Sequence, residues 1–180
     1  MIVLRRATDA DVALLVAWDA DADVAAAHGE DAGAFDWAAE VPRPVPWREI
    51  LVADEVGGDA ASPDGQRPVG VLVVIDPRDE ESHYWGDVPA GLRALDVHIG
   101  RPADRGRGLG TEMLCRAVER CFAEPAVDAV LVDPLVANER AVRFFARLGF
   151  VLVERRWFGG DECAVMRLDR RAVAPAGETP

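Results

Sequence analysis

The heptapeptide Arg105-Gly106-Arg107-Gly108-Leu109-Gly110-Thr111 joins an alternating apolar segment, ending near Ile99, to an amphipathic run that begins at about Leu109. Three glycines at positions 106, 108 and 110 remove the Cβ atoms that keep a ligand from the backbone. Successive N–H groups can then turn toward one anion, and the following helix adds the positive end of its dipole. Arg105 and Arg107 supply guanidinium forks that match phosphate oxygens. Strand, glycine loop and helix in this order read as a phosphate cradle rather than an ordinary turn. It is not a nucleotide P-loop, which ends in Gly-Lys-Ser/Thr, because the chain contains no lysine. Nor does the 106, 108, 110 spacing fit the Gly-x-Gly-x-x-Gly dinucleotide fingerprint.

Working outward, residues 92–100 predict a strand in which Leu95, Val97 and Ile99 share the apolar face and Asp96 and His98 the other. A carboxylate and an imidazole on one face of a central strand require partners or a cavity. Residues 76–91, just before it, are acidic and hold Tyr84-Trp85 in their middle. Beyond the loop, Leu114, Ala117, Val118 and Cys121 recur at helical spacing up to Pro125. Residues 129–132 read as a buried strand closed by Asp133-Pro134. Asn138 caps a helix running through Ala141, Phe145 and Leu148 to a stop at Gly149. Residues 151–158 and 164–168 are strands around a turn at 159–162, and a frayed tail is expected over 172–180.

The N-terminal half opens with a strand at 2–6 and a capping-box-like Thr8-Asp9-Ala10-Asp11 before a helix whose Val12, Leu15 and Val16 share a face. Residues 19–46 lose periodicity and predict an irregular second helix and a loop, a candidate flap over a substrate. Strands at 50–56 and 69–75 form an antiparallel hairpin around a polar loop at 57–67.

With 180 residues, half of them apolar, the chain predicts one domain spanning 1–171. No run approaches the roughly 18 apolar residues of a membrane helix, and Met1-Ile2-Val3-Leu4 runs straight into charge, so a cytoplasmic location is expected. Three cysteines without paired spacing predict buried thiols in a reducing compartment and no metal site. The net charge of −12 argues against nucleic acid and anionic membrane partners. That charge is uneven: residues 1–100 carry 20 Asp and Glu against 7 Arg, whereas residues 101–180 carry 12 against 13. The cradle half is thus nearly neutral, and the other half attracts cations.

Arg105 to Gly110 as Arg-x-x-Gly-x-Gly, followed by Asn138, Ala141, Phe144, Leu148, Gly149 and Phe150, resembles the GNAT superfamily of acetyl-CoA-dependent N-acetyltransferases. The segments at 91–96, 108–111 and 132–138 are similar to the aminoglycoside 6'-N-acetyltransferases, with the likeness spanning roughly residues 2–169. The resemblance implies an α/β fold of the α+β type, a mixed, mostly antiparallel sheet with a central splayed strand pair and helices on both faces. It also implies acetyl-CoA as co-substrate, no metal, a small cationic amine as acceptor, and a monomer or homodimer.

By the same resemblance the pyrophosphate lies on Arg105, Gly106, Arg107, Gly108, Leu109, Gly110 and Thr111. The pantetheine pairs with Val97, His98 and Ile99, beside a bulge in their strand, and meets Asn138 and Phe145. Asp96 stands where the family has its proposed base. Asp96, Asp133, Asp161, Glu81, Tyr84 and Trp85 fall where acceptor carboxylates and aromatic walls are found, and Asp36 and Trp37 are weaker candidates for the first flap. The usual tyrosine of the last helix is replaced by Phe145, and the chain's single tyrosine is Tyr84. Two other activities fit the sequence: acylation of a siderophore lysine or a peptide amine, and a non-catalytic acyl-CoA sensor.

Overall fold

The computed structural model describes residues 1–31, 33–57 and 65–173. Among the described residues seven strands form one sheet, in the order β1-β2-β3-β4-β5-β7-β6. They are β1 (Ile2–Arg6), β2 (Arg48–Val56), β3 (Gln66–Ile75), β4 (Leu92–Ile99), β5 (Ala129–Val132), β6 (Val151–Phe158) and β7 (Asp161–Asp169). Every neighbouring pair is antiparallel except β4 and β5. The helices are α1 (Val12–Asp19), α2 (Ala22–His28), α3 (Trp37–Glu40), α4 (Leu109–Phe122), α5 (Glu139–Arg147) and α6 (Arg170–Val173).

Alternation along the strands sorts the core into two faces. Leu51, Leu72, Val74 and Leu95 pack with Met113, Leu114 and Ala117 of α4 and Phe145 of α5. Ile50, Val52, Val71 and Val73 face the other way, onto Leu15 and Trp18 of α1 and Trp37 of α3. Farther along that second face, Leu92, Ala94 and Leu131 pack with Trp85, Phe158 and Val165. The expected mixed, mostly antiparallel α/β sheet with helices on both faces is therefore present. The Ile2 N–H donates to Glu112 Oε1 at 2.7 Å, tying α4 to the first strand.

The sheet opens at the parallel pair. Strand β4 meets β5 only through Leu92, Ala94 and the Arg93 between them, opposite Ala129, Leu131 and Val130. From Leu95 onward β4 keeps its ladder with β3 alone, while β5 continues into β7. The strands splay without the bulge expected in β4, whose register against β3 is constant from Ala94 to Ile99. Register shifts occur instead at Ala53/Asp54 and at Leu152/Glu154.

Several local expectations change. On α1 the buried pair is Leu15 and Trp18, three residues apart, and Val16 is 51% exposed. Helix α4 ends at Phe122, short of Pro125. Strand β3 already includes Gln66 and Arg67, and β7 already includes Asp161. Ala172 belongs to α6 rather than to a tail, and residues 174–180 lie outside the described residues, as do 58–64 of the hairpin loop. Cys121 and Cys163 are buried, but Cys115 is exposed on α4. Among the described residues no helix is long and apolar enough to cross a membrane.

Candidate active site

The glycine loop forms where the sequence puts it, at the end of β4. A 3-10 turn at Pro102–Asp104 leads into it, and Gly106 and Gly108 take φ values of 76° and 84°. Side chains rarely adopt that conformation, so both glycines are needed for the path of the loop. Gly108 caps α4, and the Glu112 N–H is bonded back to its carbonyl at 3.2 Å. The amides of Leu109, Gly110 and Thr111 precede any available intrahelical acceptor and are therefore free to meet an anion. A methyl group on Gly110 would sit 3.6 Å from Ile99 and 3.7 Å from Phe144, ordinary contact distances, so Gly110 is a less demanding position.

Neither arginine of the loop points to bulk water alone. Arg105 donates to Asp21 Oδ1 at 2.5 Å and also bonds Asp23, so the cradle is tied to the start of α2. Arg107 donates to Asp104 Oδ1 and to Glu55 Oε1, each at 2.8 Å. The positive charge expected of the loop is thus largely balanced by carboxylates the sequence did not single out.

Val97 and Ile99 flank the main core, directing Asp96 and His98 to the opposite face. Asp96 is exposed there. The 76–91 loop brings Tyr84 to the same region, where its hydroxyl donates to Asp133 Oδ2 at 2.8 Å. Burial pushes the Tyr84 phenol well above its ordinary value, and the negative charges of Asp133 and Asp96 add to the effect. Glu80 sets this loop: its carboxylate is 9% exposed and accepts from the N–H groups of Ser82 at 2.7 Å and Tyr84 at 3.0 Å. Burial works against its charge, but those hydrogen bonds prevail and hold its pKa below the usual value.

The remaining residues divide clearly. Trp85 is 5% exposed and belongs to the core beneath Tyr84, so it cannot offer the open wall expected of it. Phe158, not anticipated, stacks on Tyr84 at 4.2 Å and 8°. Glu81 is exposed and chelated by Arg43 at 2.7 and 2.8 Å. Asp161 accepts from the Glu30 N–H at 2.7 Å, and Glu30 Oε2 accepts from the Gly160 N–H at 3.0 Å, a reciprocal clasp between the first flap and the β6–β7 turn. Asn138 spends its Oδ1 on the Ala141 N–H at 3.1 Å, as the cap of α5. Phe145 is buried in the main core, and Phe144 is the half-buried ring beside Gly110. Trp37 is likewise core and donates to Asp19 at 2.6 Å, while Asp36 caps α3.

His98 is covered by α1 and α2. Its Nε2 lies 3.8 Å from Asp19 Oδ1, and its ring meets His28 edge-on at 5.6 Å. Burial lowers its pKa to about 3, helped by the neighbouring His28 and Arg105 charges. The imidazole is therefore neutral at ordinary pH and available as a hydrogen-bonding group, not as a cation. Among the described residues no group of three or more His, Cys, Asp or Glu side chains is placed to hold a metal ion.

The arrangement offers an anion-binding helix start, an open strand edge beside it, and an acidic face around Asp96 and Asp133. An acceptor cation and an anionic donor can meet there. An acetyltransferase (GNAT) domain model matches residues 7–158. The aminoglycoside N(6')-acetyltransferase type 1 of Klebsiella pneumoniae is 25% identical over 150 residues, 83% of this chain and 73% of that protein. A kanamycin resistance protein of Rhizobium radiobacter is 32% identical over 72 residues, 39% of this chain and 67% of that protein. A crystal structure of the aminoglycoside acetyltransferase AAC(6')-Ib with coenzyme A and kanamycin superposes with a TM-score of 0.78, 22% identity and 96% coverage of both chains.

Proposed function

We propose that this chain, which belongs to the GNAT acetyltransferase family, transfers the acetyl group of acetyl-CoA to an amine of an aminoglycoside, at the 6' position, and so confers resistance in the cytoplasm. The observation that carries this reading is the placement of Asp96. It stands exposed on β4 just beyond the last β4–β5 pair, close enough to the Asp133-bonded Tyr84 for its charge to act on that phenol. The relatives acting on aminoglycosides supply the acceptor class, and the acidic first half of the sequence suits a polycation.

The donor's pyrophosphate takes the amides of Leu109, Gly110 and Thr111. The splayed edge of Val97, His98 and Ile99 is open to the pantetheine amides in the manner of an added strand. A β4 N–H then polarises the thioester carbonyl and stabilises the oxyanion. Asp96 and Asp133 hold the acceptor ammonium by charge and hydrogen bonds. The ammonium first loses a proton through Asp96 to water; the neutral amine then attacks the carbonyl carbon, the C–N bond forms, the C–S bond breaks, and the second nitrogen proton leaves by the same route. A carboxylate is a much weaker base than an amine, so relay to water is the favoured route. Tyr84 is held as a phenol by Asp133 and acts as a fixed donor that orients this carboxylate. The departing thiolate takes its proton from water.

Mass spectrometry of the product from acetyl-CoA and kanamycin, with fragmentation to locate the acetyl group, tests both transfer and position. Acetylation at another amine keeps the enzyme class but overturns the 6' assignment.

A further inference from the structure

The crest of the cradle is Gly106-Arg107-Gly108. Both glycines are left-handed, and a methyl group added to either meets open space, so packing does not hold the crest at those points. What holds it is the side chain between them. Arg107 Nη1 donates to Asp104 Oδ1 at 2.8 Å and makes a longer contact of 3.4 Å to Glu55 Oε2, and Nη2 donates to Glu55 Oε1 at 2.8 Å. Arg67 completes a ring: it donates to Asp104 Oδ2 at 2.7 Å, to Asp104 Oδ1 at 2.8 Å and to Glu55 Oε2 at 2.6 Å. Glu55 and Arg67 are register partners on β2 and β3, so the ring is anchored in the sheet. Asp104 is 4% exposed, and Arg67 and Arg107 hold its carboxyl below the usual range.

Two cations and two anions cancel in this ring. Arg107 therefore brings no net charge to the cradle, and its donors are already committed to carboxylates. Arg105 is likewise committed, to Asp21 and Asp23, so attraction for a pyrophosphate falls to the helix start and its dipole.

We propose that Arg107 is a tether rather than a phosphate ligand, and that Asp104 is the positioning residue that sets the cradle's backbone through Arg107 and Arg67. The proposal rests on the reading of this loop as the coenzyme A pyrophosphate site. Without Asp104, the half-buried Arg67 and the exposed Arg107 lose the more buried of the two carboxylates they share, and the crest loses that anchor.

Calorimetry with coenzyme A on the intact protein tests it, comparing wild type, Asp104→Asn, Glu55→Gln, Arg107→Ala, the Asp104→Asn/Arg107→Ala double variant, and Arg116→Ala as a control away from the ring. The expected result is a loss of affinity of about tenfold for Asp104→Asn and for Arg107→Ala. The double variant should be no weaker than either single one, and KM for acetyl-CoA should rise far more than kcat falls. The slope of log affinity against log salt should not change in Arg107→Ala. If Asp104→Asn does not fold by circular dichroism, Glu55→Gln paired with Arg107→Ala runs the same cycle. Asp104→Asn or Glu55→Gln binding within twofold of wild type, while Arg107→Ala alone weakens binding and flattens the salt dependence, makes Arg107 a direct ligand and overturns the proposal. A wild-type chain that binds no coenzyme A overturns the acetyl-transfer reading as well.

Discussion

Tyr84 and Asp133, 49 positions apart in the chain, are joined by a hydroxyl-to-carboxylate hydrogen bond of 2.8 Å. The Tyr84 ring also lies flat on Phe158. Replacing Tyr84 with Phe keeps that stack and removes only the donor to Asp133. The loss of one hydrogen bond to a charged group is about 1.5 kcal/mol, which corresponds to a KM for the aminoglycoside about tenfold higher. Steady-state kinetics should show kcat much less affected, since Asp96 is untouched. An unchanged acceptor KM would remove Asp133 from the acceptor site.

His98 supplies a pH prediction. Its folded pKa is about 3, against an ordinary value of 6.5, chiefly because it is buried. The unfolded chain therefore takes up a proton near pH 6.5 that the folded chain refuses. Stability from this residue is fully present above that pH and falls by up to about 1.4 kcal/mol per pH unit as the pH drops toward the folded value. His98→Gln should flatten the slope of denaturation free energy between pH 6.5 and 4, relative to wild type. An equal slope in both proteins means that His98 titrates normally in the fold.

Asp11 gives a slope in the same direction. Burial raises its pKa, but the Arg5 guanidinium at 2.8 Å and the Thr8 N–H and hydroxyl outweigh burial and leave it below the usual carboxylate value. Its stabilisation is present above about pH 3.9 and is lost as the pH falls through the lower folded value. Asp11→Asn should cost about 2 kcal/mol at neutral pH, and the gap to wild type should close in acid. Urea denaturation at pH 7 and pH 3 measures both.

Gly100 lies against the ring of Trp18 on α1. A Cβ there would lie 2.0 Å from Trp18 Cε2, and Trp18 is 3% exposed with no room to withdraw. Gly100→Ala should destabilise the fold by about 3 kcal/mol and loosen α1 over His98. A melting temperature equal to wild type would show that α1 moves freely here.

Much of this architecture was legible in the residues. Alternation in β4 put Leu95, Val97 and Ile99 inward and Asp96 and His98 outward, and the glycine spacing located the cradle, because both signals are local and steric. What local pattern could not reveal was where charges go. Glu55, Asp104, Asp21 and Asp23 carry no local pattern that singles them out, yet they hold the loop arginines, because ion pairing depends on strands and helices far apart in sequence. The resemblance put Trp85 in an aromatic wall, but the Glu80 hydrogen bonds turn that loop so that Tyr84 faces out and Trp85 in. Asp161 and Glu81 likewise gained partners, Glu30 and Arg43, that lie 131 and 38 positions away.

Thiol release from acetyl-CoA in the presence of kanamycin, measured for wild type and Asp96→Asn beside coenzyme A affinity for both, tests acetyl transfer at Asp96 most directly. The account predicts release that depends on kanamycin, kcat/KM lowered at least about 100-fold in Asp96→Asn, and coenzyme A affinity unchanged. Release at the same rate with and without every aminoglycoside offered, or full activity in Asp96→Asn, would contradict it.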